Sequence, residues 1–379
     1  MFFAIIFSIW ALMLTHILWR TQHLFGGTLL TRLSIGAGVI FLGFAYVLAR
    51  IAFSANPTTG PARALTYAGA ILIGFFAALW TIVVVFDLLT AGASLFAHAH
   101  IGSWSSEARR ITALALWASA ALLTALGWVI GHTTPPVTRL QLSVPGARPA
   151  RFALLSDSHL GATASADQWQ RTLQAAKELE PDAILFPGDL VDDDTGRAWS
   201  LAEEMRSAFP DLPIFVSFGN HDVYSGVESF TRLCRTFRFR LLRQECEPLT
   251  PGLTIAGVDD ASLTNPRTAV EAVRSKLEGP VLLLSHRPAV AHLLEDRPET
   301  LVLSGHTHGG QTLPMVALVA LANGGFRAGS YGVGACRLYL SRGVGVWGPP
   351  IRLFAPPELV LIEVTPGSTF AVKAENGGS

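Results

Sequence analysis

Phe152-Ala153-Leu154-Leu155-Ser156-Asp157-Ser158-His159 is the stretch that decides the fold. Its apolar run is long enough for a buried strand, and a carboxylate and an imidazole follow at once, at the strand's carboxyl end. The pattern recurs downstream. Further strands are predicted over 183–186, 214–217, 253–257, 281–285 and 301–304. Between the first two, Trp169, Leu173, Ala176 and Leu179 recur at helical spacing until Pro181 stops them, and a second helix is predicted over 198–208. Late runs at 337–341 and 359–364 add strands without helices. Alternation of this kind predicts a layered α/β domain with mixed sheets and helices on the outside.

Polar residues of one kind collect where these strands end: Asp157 and His159, Asp189, Asn220 with His221 and Asp222, His286, then His306 and His308. In open α/β sheets such ends share one crevice. A mixture of carboxylate, amide and imidazole suits Mn, Fe or Zn, and so many donors exceed what one ion takes. Two divalent ions sharing a bridging carboxylate would use them all, an arrangement that stabilises both the attacking and the leaving oxygen of a phosphoester. One histidine after a strand is usually structural. Repeated delivery of ligand types is not, because His and Asp are disfavoured at buried strand ends. Gly188, Gly219 and Gly305 each precede a candidate ligand and let backbone approach it.

As a set, Ser156-Asp157-Ser158-His159, Gly188-Asp189, Gly219-Asn220-His221-Asp222, Ser285-His286 and Gly305-His306-Thr307-His308 resemble the five blocks of the calcineurin-like metallophosphoesterases. Gly343, Gly345 and Pro356-Pro357-Glu358 resemble one membrane-associated bacterial branch of that family. The resemblance implies one metal on Asp157, His159, Asp189 and His308, and a second on Asp189, Asn220, His286 and His306, with Asp189 bridging. It implies that His221 is the catalytic histidine and that Asp222 orients its imidazole. It also implies a phosphoester or pyrophosphate substrate. Since the family includes enzymes that cleave UDP-2,3-diacylglucosamine, a lipid-linked substrate is within its range.

The remainder of the chain is built for lipid. Of 379 residues, 50% are apolar and 15% charged. Residues 1–135 hold only Arg20, Arg32, Arg50, Arg63, Asp87, Glu107, Arg109 and Arg110 as charged groups. Four apolar stretches, over 2–19, 33–53, 69–86 and 111–130, approach the ~17–25 residues that cross a bilayer as a helix. The division predicted is a four-span transmembrane domain over 1–131, a proline-rich linker over 132–149, and a metallophosphoesterase domain over 150–379. Asp87 reads as a hydrated span end, and His98 and His100 as interfacial residues. Four spans place both termini on one side of an inner or plasma membrane. Arg50, Arg63, Arg139, Arg148 and Arg151 against Arg20, Arg32, Arg109 and Arg110 lean the catalytic part to the cytoplasm.

Nucleic acid is not an expected partner, since no basic tract occurs. Cys234, Cys246 and Cys336 form no zinc pair and no disulfide framework. A transporter or sensor whose soluble part only binds metal or ligand is the alternative function. Asp192, Asp193 and Asp194 read as a hydrated loop before a helix, and Asp259-Asp260 as turn residues. Arg287 is a candidate phosphate contact. The apolar run 313–322 is either core or a guide for acyl chains at the bilayer surface.

Overall fold

The computed structural model describes residues 2–52, 59–97, 101, 104–162, 164–194 and 196–375, so His98 and His100 lie outside the described residues. The chain forms two compact units. The first contains Met1–Ile130, Thr312–Met315 and Gly348–Leu353; the second contains Gly131–Gln311, Val316–Trp347 and Phe354–Ser379.

The first unit is helical: α1 (Phe2–Phe25), α2 (Leu29–Gly43), α3 (Ala45–Ala52), α4 (Gly60–Ala97) and α5 (Ser106–Gly131). Leu14 and Ile17 of α1, Val39 of α2, Phe76, Leu79 and Val83 of α4, and Ala120 of α5 make its buried interior. Among the described residues, α4 and α5 are long and apolar enough to span a membrane. The pair α2–α3, bent by 55°, counts as a third span only if its halves act together. The fourth expected span, over 2–19, lies within α1, whose His16, Arg20, Gln22 and His23 all fall in its second half. Asp87 also departs from expectation. It lies inside α4 rather than at its end, pairs with Arg20, and sits 2.9 Å from His16 Nε2. A carboxylate in an apolar bundle is costly unless paired, and α1 supplies the pairing.

The second unit has two sheets. Its strands are β1 (Val137–Pro145), β2 (Ala150–Leu154), β3 (Ala183–Phe186), β4 (Ile214–Val216), β5 (Arg240–Leu241), β6 (Glu245–Thr250), β7 (Leu253–Gly257), β8 (Val281–Leu284), β9 (Thr300–Ser304), β10 (Gly329–Val333), β11 (Cys336–Leu340), β12 (Leu359–Gly367) and β13 (Ala371–Glu375). The seven-stranded sheet has the order β13-β1-β12-β2-β3-β4-β5, and the six-stranded sheet β10-β11-β9-β8-β7-β6. Helices α6 (Ala166–Glu178), α7 (Gly196–Ala208), α8 (Asn220–Tyr224), α9 (Val227–Thr236), α10 (Pro266–Arg274) and, apart from its first residue, α11 (Met315–Ala322) complete the unit.

Strand alternation builds the layers. Phe152 and Leu154 join Leu185 and Phe215 in the cluster shared with Leu282, Leu284, Leu301 and Leu303 of the other sheet. Ala153 and Leu155 point the opposite way, against Trp169 and Leu173 of α6 and Met205 of α7. On the outer face of the second sheet, Val281 and Leu283 pack with Val270 and Val273 of α10. The result is the helix–sheet–sheet–helix layering that one apolar face per helix and two per strand demand.

The linker expected over 132–149 is largely a strand. Residues of β1 pair in parallel with β12 and antiparallel with β13. Its Leu140, Leu142 and Val144 are fully buried between exposed or half-buried neighbours. The prolines flank this strand rather than dissolve it.

Candidate metal centre

Each sequence-chosen residue sits just past a strand. β2 delivers Asp157 and His159, β3 Asp189, β4 the start of α8 with Asn220, His221 and Asp222, β8 His286, and β9 His306 and His308. The backbone there is unusual. Asp157, His159, Asp189, His306 and His308 have φ of 53°, 46°, 54°, 76° and 50°. Left-handed conformations cost a non-glycine residue roughly 1–3 kcal/mol and concentrate at functional sites.

Hydrogen bonds between loops hold these turns. His306 N donates to Asp157 Oδ1 at 2.8 Å, and His221 N donates to Asp189 Oδ1 at 2.8 Å. Asp189 thus spends one oxygen on a neighbouring loop and keeps Oδ2 for the centre, whereas Asp157 meets His308 Nε2 at 3.6 Å through the tethered Oδ1 itself. Asp157 Oδ2 is buried without a hydrogen-bond partner, as is Asn220 Oδ1. Asp189 Oδ2 lies 3.1 Å from His286 Nε2 and 3.7 Å from His159 Nε2. Glycine is required beside both aspartates. A Cβ on Gly219 would fall on Asp189 Oδ1, and one on Gly305 on Asp157 Oδ2 and Ser156 Oγ.

Three overlapping groups have their donor atoms within 4.8 Å of one another: Asp157, His159 and His308; His159, Asp189 and His221; Asp157, Asp189 and His286. His159 Nε2 and His308 Nε2 are 2.9 Å apart, so they require a shared proton or a cation. His306 stands outside these groups, its ring 5.0 Å from that of His286. The unpaired acceptors of Asp157 and Asn220, among converging imidazoles, are what a divalent transition ion satisfies. The residues fit such ions.

The charges are tightly coupled. Burial raises Asp157. Burial also acts upward on Asp189, but the His286 charge prevails and holds it well below the usual carboxylate range. Burial acts downward on His286, yet Asp189 carries it up to about 10. Burial, with His286 and Arg287 nearby, pushes His306 down to about 3.

Asp222 does not orient His221. Its buried carboxylate accepts the backbone N–H of Asp189 and Gly219 at 2.8 Å and of Val191 at 3.0 Å, so it fixes the Asp189 loop. The carboxylate on His221 is Asp192, whose Oδ1 lies 2.7 Å from Nδ1 and also 3.2 Å from His159 Nδ1. A hydrated loop residue was expected there. Asp192 is half-buried and bound instead, because the loop after β3 folds back over α8. Asp259 and Asp260 are not turn surface either. Both are buried and paired, with Arg243 and Arg287 respectively. Trp347 carried no sequence signal. Its ring is 5.6 Å from His221, and Gln311 bonds both its N–H and its C=O.

The calcineurin-like phosphoesterase family pattern matches residues 150–310. An uncharacterized metallophosphoesterase of Aquifex aeolicus is 31% identical over 58% of this chain and 87% of its own. The chain belongs to the calcineurin-like phosphoesterase family. A zebrafish (Danio rerio) transmembrane protein with metallophosphoesterase domain is 34% identical over 60% of this chain and 55% of its own. An uncharacterized metallophosphoesterase of Campylobacter jejuni is 31% identical over 61% and 63%. The chain therefore spans a little over half the length of these last two family members.

Proposed function

We propose that the chain is a membrane-anchored phosphoesterase whose centre holds two divalent ions. One would rest on Asp157, His159, Asp189 and His308, the other on Asp189, Asn220, His286 and His306. The observation that supports the reading is Asp189, which tethers one oxygen to a loop and turns the other to His286 and His159, while Asp157 shares one donor group with His159 and His308 and another with Asp189 and His286. Two such ions supply a hydroxide nucleophile at neutral pH and stabilise charge on the phosphoryl oxygens.

The chain's own groups do the rest. Nδ1 of His221 donates to Asp192, which leaves Nε2 as the ring's free position. Burial acts against a charged ring, but the Asp192 hydrogen bond and Asp189 outweigh it and raise the affinity of His221 for its proton. Nε2–H is then placed to give a proton to a departing oxygen. Asp222 keeps the Asp189 loop rigid through three amides.

The finer reading is an amphiphilic phosphate ester as substrate, and α11 favours it. Met315 is 45%, Leu318 46% and Leu321 83% exposed, on consecutive turns, while Val319 alone faces inward at 5%. An exposed apolar stripe of this kind suits acyl chains or a lipid surface.

The test is hydrolysis of p-nitrophenyl phosphate and bis-p-nitrophenyl phosphate with metal analysis of the purified chain. His221→Ala is expected to lose turnover and keep metal, and Asp189→Ala to lose turnover and metal at both positions. Two metals per chain in Asp189→Ala would remove the bridging assignment. No hydrolysis by the metal-loaded chain, for any phosphate ester in a broad panel, would favour the binding-only alternative. Replacing Met315, Leu318 and Leu321 by Ser should impair a lipid-linked ester selectively; equal impairment of a water-soluble ester would remove the lipid reading.

A further inference from the structure

Two neighbouring aspartates follow β7, and each holds an arginine in a different way. Arg243 grips Asp259 along one edge of its guanidinium, Nε to Oδ1 at 3.1 Å and Nη2 to Oδ2 at 3.0 Å. Gln244 Nε2 and Thr264 Oγ1, both at 3.1 Å, complete the shell around that carboxylate. The Arg243 fork is committed.

Arg287 is not. It donates to Asp260 Oδ2 through Nε alone, at 2.9 Å. Asp260 is fully buried, and its other oxygen accepts Ser262 N at 2.8 Å, so the carboxylate cannot follow the arginine if it moves. Among the described residues, the remaining donors of Arg287 have only long contacts with uncharged groups: Nη1 is 3.4 Å from His306 Nε2, and Nη2 is 3.4 Å from Ser262 Oγ. Its side chain keeps 34% of its surface open. A guanidinium anchored by Nε to a buried carboxylate presents its Nη pair in one fixed direction. Here that edge borders the histidines of the centre. A planar pair of N–H donors matches two oxygens on one phosphorus.

We infer that Arg287, positioned by Asp260, binds the unesterified oxygens of the substrate phosphate and biases the site toward phosphomonoesters. This rests on the phosphoesterase reading above. A monoester offers three unesterified oxygens and up to two negative charges, whereas a diester, or either phosphorus of a pyrophosphodiester, offers two oxygens and one charge. A further cation with two donors therefore benefits the monoester most. The same logic places a sugar nucleotide behind a terminal phosphate as substrate.

The test uses the purified, metal-loaded full chain and two readouts: inorganic phosphate affinity by calorimetry, and the ratio of kcat/KM for p-nitrophenyl phosphate over bis-p-nitrophenyl phosphate. Loss of a charge-assisted pair predicts that Arg287→Gln weakens phosphate binding about 10–100-fold, lowers the ratio about tenfold, and leaves metal content unchanged. Arg287→Lys should fall between, since it keeps the charge and loses the fork. Asp260→Asn should reproduce part of the phosphate effect by freeing the guanidinium. Phosphate affinity and ester ratio both within twofold of the parent in Arg287→Gln would overturn the inference. So would loss of metal or of thermal stability in both Arg287→Gln and Arg287→Lys, which would make the residue a brace. Arg287-dependent phosphate binding without hydrolysis of any ester would leave this inference standing and fell the phosphoesterase reading alone.

Discussion

His221 is held by one short contact, Nδ1 to Asp192 at 2.7 Å, and its proton-donating role depends on that contact. Asp192→Asn keeps shape and removes the charge that supports the protonated ring. Loss of such an orienting partner typically costs about 10–100-fold. The expected outcome is a kcat lower by that factor with KM near the parent value, and metal weakened only at the position held by His159, which the same carboxylate meets at 3.2 Å, measured by steady-state kinetics and metal analysis. Asp222→Asn should behave differently. It breaks the amide clamp on the Asp189 loop, so metal retention should fall along with turnover. The thiols give a second check. Burial pushes Cys336 up to about 11 and Cys234 well above the ordinary thiol range, so both stay in the unreactive thiol form near pH 8. Cys246 is only half-buried. Alkylation of the native protein at pH 8 should therefore modify Cys246 first, and mass spectrometry of the peptides checks it. Ligand-type residues were legible in the sequence because they follow apolar runs directly. Asp192 was not, because Asp192, Asp193 and Asp194 look alike until the loop's path selects one of them.

At the scale of elements, β1 shows why composition misleads. Pro135, Pro136 and Pro145 suggested an unstructured connector, yet Leu140, Leu142 and Val144 alternate with Arg139, Gln141 and Ser143, the period of a half-buried strand. Proline is tolerated here because it stands before the strand and at its last residue. The inner strands were readable from apolar runs of three or four residues, such as those of β3, β4, β8 and β9. β5 was not, because two residues carry no period, and neither were the short edge strands β10 and β13, whose sequences are mostly small or polar. Since Leu142 is fully buried between the sheets, Leu142→Ala should destabilise the domain by about 2–5 kcal/mol. A linker would tolerate the change with no measurable loss. Denaturant unfolding of the detergent-solubilised chain, followed by tryptophan fluorescence, distinguishes the two.

For the whole molecule the open quantity is the number of crossings, and its parity fixes which side the phosphoesterase domain faces. Helices α4 and α5 are long and apolar enough for two; the bent pair α2–α3 would add a third only as a unit, and α1 would make a fourth. An even count puts the N-terminus and the domain on one side, an odd count on opposite sides. The structure also alters the charge balance on which orientation rests. Arg20 is buried and neutralised by Asp87, so it drops out of the comparison and leaves Arg32, Arg109 and Arg110 against Arg50, Arg63, Arg139, Arg148 and Arg151. Cytoplasmic segments carry the excess of Lys and Arg, so the second group should face the cytoplasm, together with the domain that follows it. The unpaired thiols agree with a reducing compartment. Reporters joined ahead of α1 and after β13, active on only one side of the membrane, are expected to agree with each other and to mark both ends as cytoplasmic. Opposite signals would mean three crossings, and matching signals from the far side would reverse the orientation.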